Sequence, residues 1–258
     1  MKVQQTLARL RRELAIALAI AAKDVQVYYL APPMIMFGLL LPFFMFFSFS
    51  VRRGLAPAES VARLLAITTF FTASSAGPVI LPMERRTRTF ERMLVAPVAL
   101  ISVLAGEAAV GMVFGAGVSI LTLLLATIFL GVRSVSPVAL IAAVLLASAA
   151  FSALGLLFAS WPTSSATPVG SIMMPATLVR WPLMFVSGVF VPLEQMSQPL
   201  RAISYLSPLT YAQDLFDHLV MGRGLQPAAL NWAALVAFLV IFIAATIWFH
   251  RVQRQRGY

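Results

Sequence analysis

Residues that could do catalytic or metal chemistry are scarce in this sequence. Asp214, Asp217 and His218 lie close together, but the chain contains no cysteine and only two histidines. Neither a thiolate nucleophile nor a histidine-rich metal site can be assembled from that set. Solvent can satisfy the charges of the three clustered residues, so the sequence predicts no catalytic residues and no metal site.

Nucleotide chemistry is not predicted either. A loop that binds ATP phosphates normally reads G-x-x-x-x-G-K-[ST], because its lysine contacts the phosphates. The two lysines of the chain, Lys2 and Lys23, do not follow a glycine. We therefore expect no ATP hydrolysis by that route and no cofactor-binding residues in this chain.

The most informative charged segment is PMERRTRTFERMLVAP, residues 82–97. Proline starts a helix readily at the first helical position, so Pro82 and Pro97 are expected to bound one. Glu84 and Arg88 have i,i+4 spacing, and apolar side chains form a separate stripe. This pattern predicts a short amphipathic helix, which is either an ordinary loop helix with a solvated charged face or a docking element for a partner.

The elements that must position these residues are long apolar segments. Of the 258 residues, 60% are hydrophobic and 11% are charged, which is too few charges for the surface of a soluble fold. Segments near the roughly 20 residues of a membrane-spanning helix are 32–51, 64–81, 104–130, 137–159, 169–191 and 230–249. Because barrel strands would alternate apolar and polar residues, we expect an all-α membrane protein with six transmembrane helices.

Polar side chains inside these segments indicate a substrate pathway or a subunit interface, since they gain little by facing lipid. The candidate pathway or dimer-interface residues are Thr68, Thr72, Ser75, Thr177, Arg180 and Ser187. Serine and threonine can also bond back to carbonyls of their own helix, and they then need no cavity. Glu107, in the third segment, is expected either near the headgroups or in the pathway.

Basic residues lie in short tracts beside the apolar segments, and the formal net charge is +10. Nucleic-acid binding is not expected, because it requires basic residues clustered on a polar surface. Most arginines and lysines fall in the N-terminal segment, in residues 85–92 and in the C-terminal tail, which share one side if there are six spans. The positive-inside rule predicts a multi-pass protein of the cytoplasmic membrane with both termini in the cytoplasm and residues 52–63 and 195–223 outside.

Two segments outside the spans are expected to form short helices within a single membrane domain, residues 1–258. In residues 1–30 an apolar stripe at helical spacing is formed by Leu7, Leu10, Leu14 and Leu18. It predicts an amphipathic helix at the membrane interface, or alternatively the first buried helix of a soluble layer. Residues 192–229 are too apolar for a disordered loop and are interrupted by prolines, so short re-entrant helices on the external side are expected.

Two stretches resemble the ABC-2 type permeases, the membrane-spanning subunits of ATP-driven exporters. The positions that match the family's cytoplasmic coupling segment are Glu84, Arg85, Thr89, Glu91, Arg92, Leu94, Val95 and Pro97. The chain departs from that segment at residues 86–88. The second stretch comprises SGVFVP at 187–192 and SPLTY at 207–211, and Asp217 stands where the family frequently has arginine.

The resemblance covers essentially the whole chain and implies an exporter permease without a nucleotide site of its own. It implies two copies of a separate ATPase subunit that bind ATP and magnesium, and a second permease chain that completes a homodimer among membrane lipids. The residues that it assigns to contact with the ATPase are Glu84, Arg85, Arg88, Phe90, Glu91 and Arg92.

The composition of the spans favours a hydrophobic or amphiphilic cargo, such as a drug or a lipid, moved out of the cell. The alternative within the family is an exporter of polysaccharide or lipid-linked glycan, which should offer more stacking surface than 5 tyrosines and 4 tryptophans. Two alternatives of other classes remain. A secondary transporter should show inverted repeats and intramembrane carboxylates, and a membrane-embedded enzyme should show a nucleophile or acid–base constellation.

Overall fold

The protein folds as a bundle of helices of very different length. Its structure, a computed structural model, describes residues 15–23, 32, 36, 40, 44, 57–86, 100–160 and 169–255. The helices are α1 (15–23), α2 (Pro57–Arg86), α3 (Leu100–Leu130), α4 (Pro137–Ala159), α5 (Val169–Val186), α6 (Gln198–Ser204), α7 (Pro208–Met221) and α8 (Ala228–Gln255). These ranges contain no strand, which confirms the all-α prediction for the part of the chain that is described.

Four helices, α2, α3, α4 and α8, are long and apolar enough to cross a membrane, while α5 is apolar but shorter. Each of them overlaps a predicted segment, and their length and composition support a membrane protein. The predicted first span, 32–51, lies outside the described residues except for isolated positions. The count of six spans therefore stays a prediction.

The boundary expected at Pro82 is wrong. We predicted that a span ends at residue 81 and that a separate helix begins at Pro82, but α2 continues through Pro78 and Pro82 to Arg86. An interior proline removes one backbone hydrogen bond and crowds the preceding turn. The packing of α2 against α3, α4, α5 and α7 fixes its path across that defect. Residues 87–97 of the predicted coupling helix lie outside the described residues.

The fifth segment is also shorter than the predicted range 169–191, because α5 ends at Val186. Gly188 has a φ of 90°, a left-handed conformation that glycine adopts without the cost paid by other residues. The chain then runs through a 3-10 turn at Leu193–Gln195 into α6 and α7, with Pro208 at the first position of α7. Short helices separated at prolines thus occupy residues 193–221, and their position relative to a membrane stays a prediction.

Helix α2 lies at the centre of the core. Phe70 of α2 packs edge to face on Phe71, at 5.4 Å between ring centroids, and on Phe151 of α4, at 5.0 Å. Such pairs add to the burial of their large apolar surfaces. Helices α3 and α8 are different, since few of their apolar side chains are buried and several, such as Phe129 and Val240, are exposed. Their outer faces are suited to lipid or to further helices.

Small residues let α2 approach its neighbours closely. A Cβ atom added to Gly77 of α2 would lie 2.7–2.8 Å from backbone atoms of Gly155 and Leu156 in α4. The Gly111 and Gly115 pair of α3 faces Ala73 of α2 in the same way. The GxxxG spacing in α3 therefore serves helix packing within one protomer.

Substitution of Gly77 by alanine is expected to destabilise the protein by about 1–3 kcal/mol, because the obstructing atoms are backbone atoms that cannot turn away. Thermal unfolding of the purified chain measures this effect. Gly117→Ala is the matched control, since an added Cβ there meets nothing within 4 Å; it should be neutral or slightly stabilising. Equal effects of the two substitutions would contradict the close contact between α2 and α4.

Candidate functional site

The carboxylate of Glu84 is held inside the bundle near the C-terminal end of α2. Its side chain has no exposed surface, and Oε1 accepts a hydrogen bond and ion pair from Nζ of Lys23, at the end of α1. The lysine side chain is 34% exposed. The predicted surface charge at position 84 is thus a buried group that joins two segments far apart in sequence.

Apolar packing holds α1 in the same place. Ile20 and Ala21 are buried against residues of α2 and α3, among them Ile80 and Val110. Gly106 of α3 lies so close to α1 that a Cβ atom there would be 2.8 Å from the carbonyl oxygen of Ala17. Helix α1 is therefore docked on the bundle through a defined face.

The opposite side of α1 is open. Leu18 is 60% exposed, whereas Ile20 and Ala21 are buried against the bundle. The ion pair of Lys23 helps to fix which side of α1 faces α2. The exposed Leu18 lies on a surface suited to lipid, and the location of the leucine stripe at the membrane interface stays a prediction.

Of the predicted ATPase-contact residues, the structure places the side chain of Glu84 alone. Arg85 lies at the end of α2, and its side chain is outside the described residues. Arg88, Phe90, Glu91 and Arg92 also lie outside them. The described part of this site consequently consists of the Lys23–Glu84 ion pair and the apolar contacts that hold α1 against α2 and α3.

Arg180 of α5 is fully buried and reaches across to α2. Its Nη1 donates to Oγ of Ser75 at 2.9 Å and to Oγ of Ser74 at 3.3 Å. Within α5, Nη2 donates to Oγ1 of Thr177 and Nε to the carbonyl oxygen of Ala176, both at 3.3 Å. The guanidinium carbon also lies 5.6 Å from the ring centroid of Phe71. Among the described residues its partners are hydroxyls, a carbonyl and an aromatic face, with no carboxylate.

The predicted pathway hydroxyls are largely turned into their own helices. Those of Thr72 and Ser75 donate to backbone carbonyls of α2, that of Thr177 to a carbonyl of α5, and that of Ser187 to the carbonyl of Met184. Thr68 is buried as well, and only Thr177 is partly exposed. The hydroxyl donors of Thr72, Ser75, Thr177 and Ser187 are thus satisfied without substrate, and a role in transport stays a prediction for all the candidate pathway residues.

A polar cavity lies at the other end of α2, beside Glu59 and Arg63. An outer chamber of about 300 Å³ adjoins a recess of about 60 Å³, and Arg63, Glu194, Asp214 and Asp217 line both. The carboxylate of Asp214 has a structural role, because it accepts hydrogen bonds from the backbone N–H groups of Leu225 and Gln226 and from the side chain of Asn231. Arg63 pairs with Glu59 and donates to the carbonyl oxygen of Val189.

Burial raises the pKa of Asp217 from its ordinary value to about 7. Gln213 and Arg63 oppose this shift, and the charges of Asp214 and Glu59 add to it. Sequence reasoning left this cavity unrecognised. The available signal was the spacing of Gln213, Asp214 and Asp217, which places three polar groups on neighbouring positions of one helix.

Comparison with known proteins agrees with the architecture. The model of the ABC-2 type transporter family matches residues 17–221. The inner membrane transport permease YadH of Escherichia coli strain K12 is 29% identical over 170 residues, which cover 66% of this chain and 64% of the relative. The permease of the same name from Shigella flexneri gives the same values. The chain thus aligns with less than two thirds of the length of these relatives.

Proposed function

Because the chain belongs to the ABC-2 type transporter family, we propose that it is the permease subunit of an ATP-driven exporter and works with separate ATPase subunits. The observation that carries this proposal is the junction of Lys23 with Glu84. It fixes α1 to the end of the central helix α2, at the start of the segment 84–92 that the family resemblance assigns to contact with the ATPase.

The proposed coupling is mechanical. Residues 88–92 receive the movement of the ATPase, and α2 transmits it, because α2 packs on α3, α4, α5 and α7. The cores of packed helices move as units and do not deform continuously. Glu84 acts here as a positioning residue, since it is buried and its partner Lys23 belongs to the same chain.

Orientation, assembly and cargo complete the proposal. The distribution of basic residues favours a cytoplasmic location for both termini and for the coupling segment. The exposed apolar faces of α3 and α8 supply surface for lipid and for a second permease chain, and the proposed assembly has two permease and two ATPase copies. The apolar composition of the predicted spans favours a hydrophobic or amphiphilic substrate, exported as a drug or lipid would be.

Coupling is tested by substitutions in the predicted contact segment. Phe90→Ala and Glu91→Lys should each lower the permease-dependent stimulation of ATP turnover about tenfold, the size of effect expected when a central contact residue is lost. The measurement uses this chain reconstituted in vesicles with its proposed ATPase partner. Arg223→Ala, in the cavity region at the other end of α2, is the control and should retain stimulation. Unchanged stimulation by both segment variants would refute the proposed docking.

A further inference from the structure

We propose that the cavity beside Glu59 and Arg63 binds the primary ammonium group of a small amine or of a lipid headgroup. This site is separate from the coupling function, since it lies at the opposite end of α2 from Glu84. Helix α2 has 30 residues, so its ends are about 45 Å apart at 1.5 Å per residue.

The charge of the cavity favours a cation. Four carboxylates and two guanidinium groups line its two chambers: Glu59, Glu194, Asp214, Asp217, Arg63 and Arg223. The Arg63 guanidinium is already paired with Glu59, and three donors satisfy Asp214. Asp217 accepts a side-chain hydrogen bond from Gln213, and the negative charge with the least compensation in the cavity is that of Asp217 and of the exposed Glu194.

Two buried acceptors in this region have no donor among the described residues. Oε1 of Gln213, a residue only 4% exposed, has no hydrogen-bond partner, and neither has Oδ1 of Asp217. Gln213 lines the inner recess, and Asp217 lines both chambers. The two residues are one helical turn apart on α7, so their side chains lie on the same face. A buried acceptor without a donor is costly, and a ligand that brings N–H groups removes that cost.

A primary ammonium group fits these requirements better than a metal ion. It carries three N–H donors and a positive charge for Asp217. The recess of about 60 Å³ has room for a group of this size, and the outer chamber of about 300 Å³ admits the rest of a small molecule or a headgroup. The described residues include no group of three or more acidic or histidine side chains placed to hold a metal ion.

Protonation provides an independent check on the site. Asp217, whose pKa is about 7, faces Arg63 and Glu59 of α2 and Asp214 and Gln213 of its own helix, with Glu194 and Arg223 also on the cavity wall. Ethanolamine keeps its charge on both sides of neutrality, whereas Asp217 loses its charge as the pH falls. Binding should therefore be stronger at about pH 8 than at about pH 6.

The test measures thermal unfolding of the full chain in phosphatidylcholine nanodiscs with ethanolamine, choline or sodium at equal ionic strength. Ethanolamine at saturation should raise the unfolding temperature by about 5 °C. Choline has the same charge without N–H donors and should have no effect. An equal response to choline or sodium would overturn the proposal and indicate charge screening.

Amino-acid substitutions test whether the ethanolamine response arises from this cavity. Asp217→Asn and Gln213→Leu should each abolish it, whereas Gln198→Leu, at an exposed position that lines neither chamber, should retain it. Two cavity variants are used so that, if one of them fails to fold, the effect of ethanolamine on the unfolding temperature can still be measured with the other. A full ethanolamine response in both would refute the assignment.

The lipid composition of the nanodisc separates the two sources of the ammonium group. If phosphatidylethanolamine in the nanodisc removes the response to free ethanolamine, the headgroup occupies the site. If the response persists, the ligand is a soluble amine. Either result supports an ammonium site, and the absence of any ethanolamine response in both lipids contradicts it.

Discussion

Replacing Lys23 by methionine is expected to destabilise the protein by about 3 kcal/mol. The substitution removes the ion-pair partner of Glu84, whose carboxylate has no exposed surface. Loss of one partner of a buried pair typically costs about 3–5 kcal/mol, and the lower value applies because a third of the lysine side chain is exposed. Thermal unfolding in detergent measures the change, and Arg223→Met, at an exposed position, should have little effect.

A double-mutant cycle distinguishes the ion pair from simple loss of packing. Glu84→Met added to Lys23→Met should restore most of the lost stability, because the buried charge of Glu84 is then removed together with that of its ion-pair partner. Additive losses would contradict the pairing. If the restored double variant also fails to stimulate the ATPase, the charges serve coupling as well as stability.

Removing both hydroxyls that Arg180 contacts on α2 is expected to cost about 3 kcal/mol. Nη1 of Arg180 donates to Ser74 and Ser75, and hydrogen bonds to a charged group contribute about 1.5–3 kcal/mol. The Ser74→Ala, Ser75→Ala variant leaves a fully buried guanidinium with too few acceptors. Ser148→Ala is the control, because the buried hydroxyl of Ser148 has no partner among the described residues.

Rescue provides the decisive comparison for this network. Arg180→Met in the double-alanine background should recover stability, since the charge that needed acceptors is gone. The serines bond back to the carbonyls of Phe70 and Phe71, so Arg180→Met alone leaves their donors satisfied. A triple variant less stable than the double-alanine variant would show that Arg180 contributes mainly by packing.

The sequence allowed the spans to be predicted because apolar runs of membrane length depend on local composition alone. The ranges predicted for α3 and α4 agree with the observed helices to within a few residues. The ends of the helices were harder to predict. Pro82 was expected to start a helix, but α2 continues through it because tertiary packing stabilises the longer helix. Helix α5 ends before the predicted boundary, and a turn that includes Gly188 follows it.

The candidate sites were only partly predictable, because their partners are distant in sequence. Glu84 was expected on the charged face of a surface helix, but it is buried and pairs with Lys23, which lies 61 residues away in the sequence. Arg180 was recognised as anomalous in an apolar segment, but its contact with Ser75 spans 105 residues. A single sequence contains no signal for such pairings.

The length of the central helices has a further consequence for the lipid environment. Helix α3 has 31 residues and α2 has 30, so each is about 45 Å long, whereas the hydrocarbon layer is about 30 Å thick. They must tilt or extend beyond the acyl chains, and a change of tilt in α2 involves every helix packed on it. Bilayer thickness is therefore expected to affect the tilt of α2 and the arrangement of the helices packed on it. Acyl-chain length of the surrounding lipids should consequently influence the conformation of the protein.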